Sequence, residues 1–251
     1  MSLVSGVITN NLEEVRKSLK RNKKSLKVIS KKYQKTPLEL AVVNDNVEIV
    51  KYMLDFSKEK KFNYYMKSNY TKTTLKPLMD LTRSVEMSDL LLEYGFELEG
   101  EFSSYLDAKL SNPLLKDRFE LFKWGTNHGA DVNKIINDWP PIYTTILSHN
   151  IPDQEKDHYI KLLVDNGADI YYEWKETNII LLLLSYSWDK ELVKIVLKYF
   201  DTLDYRTIEM LYSTDKELLK GYKNISNIVN ILVDNNMMDA LPQDVTEIFV
   251  F

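Results

Sequence analysis

Few side chains in this sequence have the type and spacing that chemistry needs. Three histidines occur, His128, His149 and His158. None stands in the H-x-x-x-H or HExxH spacing that sets two imidazoles on one helix face around zinc. Cysteine is absent, which removes thiolate nucleophiles, thiolate-ligated zinc and disulfides together. No G-x-S-x-G elbow occurs. With seven glycines in 251 residues, most at helix ends or turns, little material remains for a loop that cradles phosphate. The sequence assigns no catalytic, cofactor-binding or metal-binding residue and reads as non-enzymatic.

The charges are more telling. The net charge is only −4, which is not the wholesale basic character of a nucleic-acid binder. Its placement is uneven: residues 1–35 hold ten Lys/Arg, all between Arg16 and Lys35, against Glu13 and Glu14, and so carry +8. The other 216 residues then carry −12. The stretch KSLKRNKKSLKVISKK resembles a localisation or polyanion patch. It also fits a solvated face that steers an acidic partner, and it lacks the interleaved aromatics that single strands stack on. Nucleic acid is therefore not the expected partner.

The elements that position these groups repeat. Helix-like tails read VRKSLKRN, VKYMLDFS, LLLEYG, WGTNHGADVN, LLVDNGADI, IVLKYF and ILVDNN, with anchors at Asn22, Ser57, Gly95, Gly129, Gly167, Phe200 and Asn236. Successive gaps are 35, 38, 34, 38, 33 and 36 residues, the period of a stacked helical array. The clearest unit is TPLELAVVNDNVEIVKYMLDFS. Thr36 can cap a helix whose first residue is Pro37. Leu38, Leu40, Ala41 and Val42 make one apolar stripe, and Asn44-Asp45-Asn46 makes a turn. Val47, Ile49, Val50, Met53 and Leu54 make a second stripe. The long gaps after Ser57 and Gly129 place insertions at 58–74 and 149–156, on loops.

TPLELA, HGADVN at 128–133 and NGADI at 166–170 resemble the ankyrin repeat, although Glu39 stands where that family usually has His. Gly129 and Gly167 fit the left-handed residue that ends a helix, and His128 is placed to hydrogen-bond in that turn. Degenerate units start at Pro77 (PLMDL), Pro140 (PPIYTTIL) and Thr177 (TNIILLLL), and the first unit shows mainly as Leu12–Lys20. The resemblance implies an all-α ankyrin-repeat solenoid of about seven helix-turn-helix repeats over residues 1–238. It also implies that loop tips and first helices bind protein. Those tips carry Trp139, Tyr171, Tyr172 and Trp174, and Tyr64 and Tyr65 occupy the comparable stretch of the second unit. These six are the expected target-binding residues, with local packing under the loops as the alternative for each. Pro140-Pro141-Ile142-Tyr143 spells the PPxY ligand pattern of WW domains, but it falls in a helix-starting slot where Ile142 would pack in the core.

The last segment, 239–251, ends LPQDVTEIFVF. Leu241, Pro242, Val245, Ile248 and Phe249 resemble the opening of an F-box, with Asp244 at its acidic position and Val245, Ile248 and Phe249 on one helical face. The sequence stops two residues after Phe249, short of the helices that complete an F-box. Ankyrin arrays followed by a shortened F-box resemble the poxvirus ankyrin/F-box host-range proteins. That resemblance implies an adaptor: the array captures a host antiviral or signalling protein, and Leu241, Pro242, Val245, Ile248 and Phe249 engage the Skp1–cullin-1 ubiquitin ligase. The alternative is a stoichiometric blocker of a host protein whose tail is only a structural cap. With no signal-peptide pattern and no apolar run near the roughly 20 residues of a membrane span, the expected location is the host cytoplasm or nucleus. No membrane partner and no cofactor are expected.

Overall fold

The computed structural model describes residues 2–59, 78–98, 104–185, 190–215, 218 and 222. Their regular structure is helical, apart from two isolated β-bridges, Ile136 with Trp139 and Trp174 with Thr177. The chain divides into two compact units, Met1–Thr144 with Ser148–Asn150, and Thr145–Leu147 with Ile151–Phe251.

The first unit contains α1 (Leu3–Ile8), α2 (Leu12–Arg21), α3 (Pro37–Val43), α4 (Val47–Glu59), α5 (Val85–Glu93), α6 (Tyr105–Ser111) and α7 (Arg118–Asn127), with short 3-10 turns at Lys23–Lys27 and Leu78–Leu81. It also holds the start of α8 (Pro141–Leu147), within which the division falls. These elements pair in sequence order: α1 with α2, α3 with α4, Leu78–Leu81 with α5, and α6 with α7. First members then stack on first members, α1 on α3, α3 on Leu78–Leu81, and that turn on α6. Second members stack likewise, α2 on α4, α4 on α5 and α5 on α7. The core runs through these seams, with Val15, Leu19, Ala41, Val42, Val50, Met79, Met87, Leu91, Leu106, Leu121 and Phe122 almost fully buried.

The second unit contains the end of α8, then α9 (Asp153–Asp165), α10 (Ile179–Ser185), α11 (Lys190–Leu197) and α12 (Tyr205–Asp215). Its pairing follows the same rule: α10 pairs with α11, α11 stacks on α9, and α12 stacks on α10.

Local chemistry sets the helix ends. Thr36 and Glu39 form a capping box: the Glu39 N–H donates to Thr36 Oγ1 at 3.3 Å and the Thr36 N–H donates to Glu39 Oε2 at 2.6 Å. Glu39, the departure from the ankyrin pattern, is thus the residue that closes this helix start. Asn11 caps α2 through the Glu14 N–H at 3.0 Å, with Glu13 and Glu14 in its first turn and Lys20 and Arg21 in its last, matching the helix dipole.

Three second helices end in Schellman motifs. The Ala130 N–H donates to Gly125 O (2.9 Å) and the Gly129 N–H to Thr126 O (3.3 Å); Ala168 with Leu163 and Phe96 with Leu91 repeat the pattern. Gly95, Gly129 and Gly167 sit at φ 82, 85 and 86°, where a side chain would be strained. The first helices use the same device with Asn10 (φ 50°) and Asp45 (φ 57°), where the Asn11 and Asn46 N–H groups reach back to Gly6 O (2.8 Å) and Ala41 O (2.9 Å).

Three expectations need correction or extension. Residues 3–8, whose repeat shows in sequence mainly as its second helix, form α1, so the first repeat has both helices. The insertion assigned to loop at 149–156 is only half loop, because Asp153–Lys156 form the first turn of α9 and Lys156 is 1% exposed. Asp153 and Glu155 favour that early start by complementing the helix dipole. Likewise Lys58 and Glu59, assigned to the 58–74 loop, belong to α4. The rest of that loop, Pro77 and Asn236 lie outside the described residues.

Candidate protein-binding surface

Two loop tips are built as reverse turns. In the first unit the Ile136 N–H donates to Trp139 O (3.0 Å) and the Trp139 N–H donates to Ile136 O (3.1 Å). Asn137 and Asp138 between them have φ 51 and 72°. In the second unit Trp174 and Thr177 exchange the same pair of bonds at 3.0 Å each, across Lys175 (φ 49°) and Glu176 (φ 61°). Two residues at positive φ inside a doubly bonded pair define the two-residue hairpin turn of the I′ class. Each turn therefore fixes a tryptophan at its base.

Trp139 is half-buried, its ring 5.4 Å from the ring of the fully buried Tyr143. Trp174 is also half-buried, with the Lys175 ammonium 4.2 Å from its ring centroid. Tyr172 is half-buried. Tyr171 is 43% exposed, yet its hydroxyl accepts from the Asp201 N–H (2.8 Å) and the Thr202 N–H (3.3 Å), and its ring meets Phe200 edge-on at 5.2 Å. It works locally as a strut of the second unit. Tyr64, Tyr65, Leu241, Pro242, Val245, Ile248 and Phe249 lie outside the described residues. Beside the second turn, Tyr171, Glu173, Asn178, Phe200 and Asp204 line an open cleft of about 340 Å³. Its carboxylates suit a basic side chain.

The Pro140–Tyr143 segment is not an extended ligand. Pro141 opens α8, and Ile142 and Tyr143 are fully buried. His128 ends α7: its Nδ1 lies 2.8 Å from Trp124 O and its ring stacks on Trp124 at 4.2 Å. Among the described residues no group of three His, Asp or Glu side chains is placed to hold a metal ion. No described helix is long and apolar enough to cross a membrane.

Sequence reasoning missed two buried lysines. Lys109 is fully buried on α6. Its Nζ donates to the carbonyls of Met79 (3.0 Å), Asp80 (3.2 Å) and Thr82 (2.9 Å) and to Thr82 Oγ1 (2.9 Å). It also lies 4.4 Å from the Tyr105 ring centroid. Thr82 and the Tyr105 hydroxyl are bridged by Ser88 Oγ, at 2.9 and 3.1 Å. Burial pushes the Tyr105 phenol up to about 12. Lys156 Nζ donates to Ile146 O (2.8 Å) and pairs with Asp153 (2.7 Å). The only sequence signal was a lysine at an otherwise apolar helical position.

No protein-family model matches the chain, and no curated protein matches its sequence. Among solved structures it is similar to the ankyrin repeat domain of Bcl-3, described as a unique member of the IkappaB protein family. The identity is 16% and the TM-score 0.54, over 84% of this chain and 98% of that one. The alternation of helix pairs, Schellman ends and finger turns, together with this likeness, gives the chain the ankyrin-repeat fold.

Proposed function

We propose that the chain is a non-enzymatic, protein-binding adaptor. The observation that carries this reading is a half-buried tryptophan at the base of a rigid finger turn, Trp139 in the first unit and Trp174 in the second. Tryptophans held this way bury much area on binding at little entropic cost. In this reading the array captures a host antiviral or signalling protein. The Leu241-Pro242 segment, with Val245, Ile248 and Phe249, joins the captured protein to the Skp1–cullin-1 ligase in the host cytoplasm or nucleus, countering innate immunity. Tethering raises the local concentration of the captured protein near the ubiquitin-transfer machinery. Support for the ligase half is the LPxDV pattern alone.

The test is affinity capture from host cells with the full chain, a variant lacking 241–251, and Trp139→Ala. The deletion is expected to lose Skp1 and keep the captured protein. Trp139→Ala is expected to weaken capture by about 2 kcal/mol. Equal Skp1 recovery with and without 241–251 overturns the adaptor and leaves a stoichiometric blocker. Unchanged capture by Trp139→Ala removes that finger from the binding surface.

A further inference from the structure

We infer that the first repeat carries a separate docking surface for an acidic polypeptide segment bearing aliphatic side chains. Residues 16–35 contain ten Lys/Arg and no Asp or Glu, and eight of those cations are exposed. Lys20, Arg21, Lys23 and Lys24 border an open cleft of about 510 Å³ whose apolar members are Leu19 of α2 and Phe56 of α4. The chain then runs extended through Val28 (φ −79°, ψ 116°). Val28 and the adjacent Ile29 are 56 and 52% exposed, flanked by Lys27 and Lys31. Two adjacent aliphatic residues left in water, four and five residues beyond the Lys24 rim of a cationic cleft, call for a ligand with both characters, carboxylates for the rim and aliphatic groups for Val28 and Ile29.

Other polyanions fit less well. Bases bind single-strand sites by stacking on aromatic faces. The aromatic rings by the basic stretch are engaged: Lys32 lies 5.1 Å from the Tyr33 ring centroid, Arg16 lies 5.3 Å from that of Tyr52, and Phe56 in the cleft is only 9% exposed. A bilayer is flat and cannot fill a concave cleft, whereas a protruding side chain can. The charge contrast between +8 in residues 1–35 and −12 in the remainder would steer an acidic segment to this end of the sequence. The surface is distinct from the Trp139 and Trp174 fingers, and it stands or falls independently of them.

The test uses the full chain and fluorescence anisotropy. Four probes are compared: a short peptide alternating glutamate and leucine, the same peptide with serine for leucine, an oligothymidylate of equal charge, and phosphatidylcholine vesicles containing phosphatidylserine. The glutamate–leucine peptide should bind most tightly and weaken steeply with added salt. Lys20→Gln/Lys23→Gln/Lys24→Gln should raise its Kd about ten-fold or more. Val28→Ser/Ile29→Ser should weaken that peptide and leave the glutamate–serine peptide unchanged. A second measurement needs no substitution: the peptide should protect Lys20, Lys23 and Lys24, and not Lys134, from a lysine-acetylating reagent read by mass spectrometry. Equal binding of the serine peptide, the oligonucleotide or the vesicles overturns the proposal, as does acetylation of those three lysines undiminished by the peptide.

Discussion

Lys109 braces a short 3-10 turn of the neighbouring repeat. Among the described residues, the first helices α1, α3, α6, α8 and α10 run six or seven residues, whereas the third repeat shows the single 3-10 turn Leu78–Leu81. Met79 O already accepts from the Thr82 N–H (3.3 Å) and from Thr82 Oγ1 (2.9 Å), but the buried Asp80 and Thr82 carbonyls rely on Lys109, and a buried acceptor left without a donor is costly. The Lys109 ammonium, delivered from the next repeat, takes the carbonyls of Met79, Asp80 and Thr82 at once. Its own desolvation is offset only because these partners, and the Tyr105 ring, surround it. Replacing it with an apolar isostere strands the Asp80 and Thr82 carbonyls. Lys109→Met is therefore expected to destabilise the fold by about 3 kcal/mol or more, read from the urea midpoint. A loss below 1 kcal/mol would mean that water can substitute for the ammonium. Gly125 is tied to the same place, since a Cβ there would lie 2.4 Å from Tyr105 Cδ1.

At the scale of elements, the repeats are stitched by aromatic donors reaching back one unit. Trp124 Nε1 donates to Asp89 (2.7 Å), the Tyr94 hydroxyl donates to Asp55, and the Tyr199 hydroxyl donates to Asp157 (2.8 Å). These bonds join residues 35, 39 and 42 apart, close to the repeat period. The finger turns, in contrast, carry local strain. Lys175 and Glu176 occupy left-handed backbone that costs an ordinary residue roughly 1 kcal/mol. The conformation persists because Trp174 and Thr177 close it and Arg206 Nη1 donates to Glu176 O at 3.0 Å. Lys175→Asn with Glu176→Gly keeps the backbone and relieves the strain. The pair is expected to raise stability by on the order of 1 kcal/mol, measured by chemical denaturation. A drop would show that the side chains of Lys175 and Glu176, and not the turn alone, hold the finger.

For the molecule as a whole, stability should fall in strong alkali through its tyrosines. Burial raises Tyr94, Tyr105 and Tyr222 to about 12, with the Asp55 carboxylate adding to the shift at Tyr94. Burial and the bond to Asp157 also raise Tyr199. In the unfolded chain these phenols ionise near pH 10. The folded state thus holds more protons above that pH, and its stability falls as pH rises. The contribution is complete below pH 10 and is lost progressively as pH climbs toward 12. A series of urea midpoints from pH 8 to pH 12 should decline in that window, and Tyr105→Phe should make the decline shallower (roughly one phenol's share). An unchanged profile in Tyr105→Phe would mean that its hydroxyl ionises as readily in the fold as in water.

The sequence by itself determined whatever is encoded within a few residues of its own backbone. Thr36-Pro37 starts a helix and Gly129 and Gly167 end one, because capping and left-handed φ depend on neighbours three to five positions away. The repeat period, the helix-turn-helix units and the burial of Ile142 followed from that grammar. Tertiary structure alone decided the rest. Lys109 looks like a surface residue until acceptors 27 to 30 positions upstream close around it. Tyr171 looks like a free anchor until the Asp201 N–H donates to its hydroxyl. Lys156 looks like part of a polar loop until Ile146 and Asp153 take its ammonium. A side chain's helical tendency is local, but whether its charge or ring meets water or protein depends on what a distant segment brings to it.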